Sequence, residues 1–185
     1  MRRLSFGLAV AVALGAAGPL AFAAGGPRGD FRDDASGFEV KVPPNFLQTP
    51  AQPADGRGVT LKRAGDEGVF CTATFAPDET ARGAEGAGVK QVAAKWRAGP
   101  AAKGRAFVSA APFNPSRSEG LSAIAIVSDR RGDLVGYPGQ KRRSLTILWE
   151  TPKGGASLVC EGPKVRFGIL RREFEELAKD VTPPR

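Results

Sequence analysis

Phe38, Val40 and Val42 alternate with Glu39 and Lys41 until Pro43-Pro44 stops the run, and this period of two predicts a short strand. Val59-Thr60-Leu61-Lys62 predicts a second strand. After the turn Gly65-Asp66-Glu67-Gly68, Val69, Cys71, Ala73 and Phe75 mark one face of a third, with Thr72 and Thr74 on the other. The pattern then changes period. Val89, Val92, Ala93 and Trp96 recur at helical spacing while Lys90, Gln91, Lys95 and Arg97 fall off the stripe, and Gly99-Pro100 ends the helix. Ala106–Ala111 is a modest strand. Leu121–Val127 is nearly all apolar and rich in Ile and Val, as expected of a strand buried on both faces. Ser144–Glu150, the connection Pro152-Lys153-Gly154-Gly155 and Ser157–Glu161 form the clearest hairpin. A closing helix places Leu170, Phe174, Leu177 and Ala178 on one face, with Arg171, Arg172, Glu175, Glu176 and Lys179 spaced for exposed ion pairs. The order of three strands, a helix, four strands and a helix predicts an α+β fold. Its form is a single antiparallel sheet of about six or seven strands with two amphipathic helices packed on it.

The start of the chain has a different character. Met1-Arg2-Arg3 is basic, Leu4 to Phe22 carries no charge, and the run ends in the small-x-small triplet Ala21-Phe22-Ala23. That order is the secretory signal pattern and places cleavage near Ala23 or Ala24. The alternative is an uncleaved anchor, since the run is nearly long enough to span a bilayer. Its Ala and Gly content, Pro19 and the cleavage triplet favour removal. Arg2-Arg3 lacks the Phe that twin-arginine export prefers at Ser5, and no Cys near the cleavage point supports lipidation. The expected organisation is residues 1–23 as signal peptide, 24–36 as a flexible Gly-, Arg- and Asp-rich leader, and 37–182 as one α+β domain, working in the periplasm.

Composition narrows the chemistry. The sequence has no His, and its single Met is the initiator, which excludes Ser-His-Asp and Cys-His catalysis and every His-ligated metal or haem site. Two Cys are too few for a four-thiolate zinc site. No G-x-S-x-G elbow or S-x-x-K pair occurs, and Gly99–Gly104 has P-loop glycine spacing but Arg105-Ala106 where Lys and Ser/Thr belong. No cofactor or metal is expected. Without Arg2 and Arg3 the chain has 25 basic and 19 acidic residues, a formal charge of +6 against +8 for the whole sequence. A mildly basic envelope protein can be drawn to anionic surfaces or ligands, although a solvated basic surface is the plainer explanation of the charge.

Three groups of residues carry candidate chemistry. Cys71 and Cys160 each lie within a predicted strand, and an exported chain with two Cys pairs them, so a structural disulfide is expected, with two buried thiols as the alternative. Arg130, Arg131, Tyr137, Lys141, Arg142 and Arg143 cluster in the charged stretch Asp129–Gln140 and the strand that leaves it. Read as a long loop, the stretch offers five cations and one aromatic to a phosphate, carboxylate or anionic glycan. A mobile, solvated connector is the plainer alternative. Alternation puts Lys141 and Arg143 on one side and Arg142 on the other. Nucleic acid is not expected as a partner, because aromatics are few and the compartment is wrong. Asp33-Asp34, Asp66-Glu67 and Asp78-Glu79 are paired carboxylates in loops without ligand spacing, and Trp96 and Trp149 fit a core better than a pocket. The two RGD tripeptides at Arg28 and Arg131 are coincidences of an Arg- and Gly-rich composition.

Gly37-Phe38-Glu39-Val40-Lys41-Val42-Pro43-Pro44, the helix Val89–Trp96, the meander through Ile124 and Trp149, and the closing Phe174-Glu175-Glu176-Leu177-Ala178-Lys179 together resemble the PsbP/Mog1-like fold, from Gly37 to Val181. The resemblance implies an accessory or binding role more than one shared chemistry, and it transfers no ligand site. The function expected is therefore an exported, non-catalytic binding or accessory protein for an anionic ligand or envelope partner. The alternative is a carboxylate-based hydrolase acting on envelope glycans. N-terminal sequencing of protein from a periplasmic fraction is expected to find a start near Ala24; a membrane-bound form that still begins at Met1 would exclude the cleaved signal.

Overall fold

Apolar alternation dictates which side of each strand turns inward, and a computed structural model shows where those sides meet. It describes residues 29–51, 57–78, 88–114, 121, 123–134 and 137–185. The signal read over residues 1–23 lies outside these, as does the leader up to Arg28. The strands are β1 (Phe31–Asp33), β2 (Phe38–Val40), β3 (Phe46–Ala51), β4 (Arg57–Arg63), β5 (Phe70–Pro77), β6 (Arg105–Phe113), β7 (Ala123–Leu134), β8 (Tyr137–Thr151), β9 (Gly154–Pro163) and β10 (Val181–Thr182). The helices are α1 (Val89–Ala98), between β5 and β6, and α2 (Phe167–Lys179), between β9 and β10.

Seven strands form one antiparallel sheet in the order β3-β4-β5-β9-β8-β7-β6. The expected fold class holds, with one addition. β2 does not join the main sheet but lies between β1 and β10 in a small three-stranded sheet. Phe38 and Val40 are fully buried there, and Val181 of β10 joins them in the main core. β1 falls in the stretch read as a leader. Pro50 suits the position of β3 at the sheet edge, where one side of the backbone needs no ladder partner.

The two helices cover opposite faces. The α2 stripe of Phe167, Leu170, Phe174, Leu177 and Ala178 packs with Leu61, Cys71, Val127, Leu145, Ile147, Trp149, Leu158 and Cys160 as the larger core. Gly162 makes that contact close, because a Cβ there would lie 2.5 Å from Leu170 Cδ1 and the leucine would have to shift. On the other face Val92 and Trp96 of α1 pack on Ile124 and Ile126 of β7, with Phe107 beside them. Ala123 to Val127 is thus buried on both sides, as its apolar run predicts. Both tryptophans belong to the cores.

β5 and β9 are the joint of the sheet. Cys71 stands directly opposite Cys160 with Cα atoms 4.0 Å apart, and the two sulfurs are bonded. The bond closes a separation of 89 residues, so loop-closure entropy assigns it about 4–5 kcal/mol. Replacing both Cys by Ala is expected to lower the unfolding free energy toward that amount in urea titrations. A loss below about 1 kcal/mol would show that the cross-link adds little to a joint already fixed by the ladder.

Candidate functional site

The charged stretch Asp129–Gln140 is mostly strand. β7 runs on to Leu134 and β8 begins at Tyr137, with register shifts between Arg130 and Leu134. Gly132 and Gly139 take φ of +90° and +78°, so the irregular end of the ladder uses residues without a Cβ penalty. Pairing of the flanking segments with each other and with β9 holds the cations in fixed positions, which the expected loop would not have done.

Those positions divide the six residues. Alternation along β8 sends Arg142 to the α1 face and Arg143 to the α2 face, as its period requires. Arg143 grips Asp129 with two hydrogen bonds, from Nε to Oδ1 at 2.6 Å and from Nη2 to Oδ2 at 3.0 Å. Lys164 Nζ donates to the same Oδ2 at 2.8 Å. Arg131 is exposed, and its backbone N–H donates to the Gly104 carbonyl at 2.8 Å. Lys141 is exposed opposite Asp133 in the register, and Tyr137 opens β8 opposite Leu134. The structure brings Arg130 and Arg142 together and leaves Arg143 on the other face.

What Arg130 and Arg142 share is a carboxylate. Glu161 of β9 is 1% exposed and points to the α1 face. Register places Arg105 of β6, Arg130 of β7 and Arg142 of β8 abreast across three strands. One position along, Phe107, Ser128, Ser144 and Glu161 form the neighbouring row. Arg130 Nη1 lies 3.0 Å from both Glu161 oxygens, Arg105 Nη2 donates to Oε1, and Arg142 Nη1 is 3.6 Å from Oε2. Arg105 Nη1 also donates to Ser144 Oγ at 2.7 Å, and Ser144 Oγ lies 2.8 Å from Ser128 Oγ.

Like charges abreast on a sheet repel, and a buried carboxylate is costly without partners. Each half of this cluster needs the other. Sequence reasoning found Arg130 and Arg142 but missed Arg105, Ser128, Ser144 and Glu161. One signal was present: on an alternating β9 with Cys160 turned inward, Glu161 must face the other side of the sheet, where a buried carboxylate calls for a cation.

Several other carboxylates are held by cations too. Arg57 and Ser36 hydrogen-bond Asp33, Arg32 pairs with Asp34, and Arg166 pairs with Asp66. Burial pushes the Asp33 carboxyl up, but the bonds from Ser36 and Arg57 outweigh it and hold the group below its ordinary range. Asp129 is held down to about 2, chiefly by the hydrogen bond from Arg143, against a burial effect, with help from Lys164. The same bond raises the Arg143 guanidinium. A lowered folded-state value contributes stability at neutral pH that disappears as pH falls from about 4 toward about 2. Asp129→Asn is therefore expected to cost roughly 1–2 kcal/mol at neutral pH, allowing for solvent screening, with the gap from wild type closing by about pH 2. Denaturant titrations at both pH values check this, and a gap that is independent of pH would contradict it.

No protein-family profile matches the chain, and no curated protein sequence does. Solved structures do. The solution structure of cyanobacterial PsbP (CyanoP) from Synechocystis sp. PCC 6803 aligns with a TM-score of 0.62 at 13% identity, over 92% of this chain and 98% of that one. A crystal structure of PA94, a Pseudomonas aeruginosa protein of unknown function, aligns with a TM-score of 0.45 at 11% identity, over 86% of this chain and 99% of that one. With its seven-stranded antiparallel sheet and a helix on each face, the chain has a PsbP-like fold.

Proposed function

We propose that this chain works in the periplasm as a non-catalytic accessory protein, docking an anionic envelope partner at the end of the sheet formed by the β7–β8 pair. One observation carries the reading: around Glu161 the guanidiniums of Arg105, Arg130 and Arg142 gather at one end of the sheet, and Arg131 stands exposed at that same end. Fixed positive charge on a rigid sheet favours recognition of an anionic surface and speeds encounter with it. The Cys71–Cys160 bond supports an oxidising compartment, and the export signal read in residues 1–23 supports the periplasm. No helix among the described residues is long and apolar enough to cross a membrane.

The hydrolase alternative needs a carboxyl that keeps its proton near neutral pH beside a second, ionised one. Asp33 and Asp129 are shifted in the opposite direction, held ionised by their hydrogen-bond and cationic partners. Binding is the better reading of this surface.

Cross-linking of the exported protein in its native envelope tests it. Wild type is expected to give a discrete cross-linked partner that is lost in about 1 M salt, where the screening length is about 3 Å. Arg131→Glu, at an exposed position, is expected to reduce that product about ten-fold without lowering the melting temperature. A partner retained equally by the variant and in high salt would overturn docking at this end of the sheet.

A further inference from the structure

The residues from Gly88 to Asn114, which hold α1 and β6, include Lys90, Lys95, Arg97, Lys103 and Arg105 and neither Asp nor Glu. Arg105 is answered by Glu161. The other four are exposed, and none has an acidic partner among the described residues. Arg97 lies over the ring of Phe107, 3.9 Å from its centroid. Around α2, on the opposite face of the sheet, four cations are answered: Lys164 by Asp129, Arg166 by Asp66, Arg171 by Glu175 and Lys179 by Glu176. Charge is largely balanced over one helix and of a single sign over the other.

Helix geometry sets these cations around a flat crest. At about 3.6 residues per turn, Val92, Ala93 and Trp96 turn to the sheet, and Gln91, Ala94 and Ala98 lie along the outermost line. Lys90 and Arg97 flank that line on one side and Lys95 on the other. The helix is about 15 Å long, so neighbouring cations stand about one screening length apart and act on a common surface. Lys90 is also misplaced for helix stability. It sits in the first turn, at the positive end of the helix dipole, where an acidic side chain would stabilise, and that turn has none. A local rule broken at an exposed position marks a residue held there for another purpose.

From this we infer that the outer face of α1 rests on an anionic lipid bilayer, with Lys90, Lys95, Arg97 and Lys103 among the headgroup phosphates. The chemistry favours a leaflet over a protein. A protein interface centres on buried aromatic or aliphatic anchors. This crest exposes only Ala and Gln, and the exposed large hydrophobic side chains among the described residues lie on other elements. Small residues along the crest let a plane approach while long lysine stems reach past it. Three of the four cations are lysines, compact hydrated charges suited to diffuse attraction, whereas a pocket for one phosphate would favour guanidinium forks. Each cation near an anionic leaflet strengthens attachment about five-fold, so four together hold a protein reversibly without any inserted chain. The inference does not rest on the docking read at the β7–β8 end of the sheet and uses none of its residues.

Vesicles are the probe. Purified exported protein is mixed with vesicles of phosphatidylglycerol and phosphatidylcholine in equal parts, or of phosphatidylcholine alone, and pelleted with them. Binding is expected to be at least about ten-fold tighter to the anionic vesicles and to be lost in about 1 M salt. A retained apolar N-terminal segment would instead bind both kinds alike. Lys90→Gln with Lys95→Gln is expected to weaken binding about twenty-fold. Arg172→Gln with Lys179→Gln, the same change in charge placed on α2, is expected to leave it within about two-fold. Lys90→Glu alone is expected to bind less while melting no lower than wild type, because it sets an acid at the positive end of the helix. Equal binding to both kinds of vesicle would overturn the inference, as would equal weakening by the α2 pair, or retention of polyglutamate without any response to anionic vesicles. Should the α1 double variant fail to fold, the wild-type comparison of lipids and salt still decides. Vesicle binding beside a failed cross-link would retain the α1 face and remove the partner at the β7–β8 end; a cross-link without vesicle binding would do the reverse.

Discussion

The pairing of β5 with β9 is the constraint on which the rest of the molecule depends. The strands β3, β4 and β5 form one meander, and β6 to β9 form another. Each alone is a sheet with an open edge and a half-covered face. Among the described residues, the ladder from Phe70–Glu161 to Pro77–Gly154 is the strand pairing that joins them into one sheet, and the Cys71–Cys160 bond sits inside it. Pairing strands so far apart in sequence pays a loop-closure cost before it gains contacts. A covalent link at that joint shifts the balance by restricting the unfolded chain. The register is fixed as well, because a slip of one residue would turn Cys71, Ala73, Leu158 and Cys160 out of the core.

The same register makes the charged site. With Cys160 turned toward α2, Glu161 must point to the α1 face, and the β9–β8–β7–β6 ladders then decide which residues surround it. Arg105, Arg130 and Arg142 come from three strands and share a row only because each neighbouring pair is in register. The core and the polar cluster are two sides of one arrangement. Apolar burial pins the strands from the α2 side, and the pinned strands hold like charges together on the other, where Glu161 and the Ser128–Ser144 pair offset part of their repulsion.

Much of this was legible in the sequence, and the misses share a cause. Strict alternation at Val69–Phe75, the apolar run to Val127 and the helical stripes of α1 and α2 identify elements whose own faces are buried, so local pattern suffices. β1 and β10 are only three and two residues long, too short to show a period. β3 carries Pro50 and an exposed Leu47, which read against a strand until the edge position is known. The extension of β7 and β8 through Asp129–Gln140 was hidden because Gly132, Pro138 and Gly139 are turn residues by composition, while here they lie in an irregular ladder. The disulfide was legible because two Cys, each on a predicted strand in a chain read as exported, offer each other the one available partner. Arg130 and Arg142 were visible as charge; Arg105 lies twenty-five residues earlier and Glu161 nineteen later, and no local pattern ties them together.

Native-state hydrogen exchange measures most directly whether the β5–β9 joint governs the fold. Backbone amides of these two strands should exchange together, in the slowest class, with an opening free energy equal to that of global unfolding. Amides of the edge strands β3 and β6 should open at lower cost. If β5 and β9 amides instead exchange by cheap local opening while β7 and β8 remain protected, the meander of β6 to β9 stands alone, and the joint is a late addition to the fold rather than its foundation.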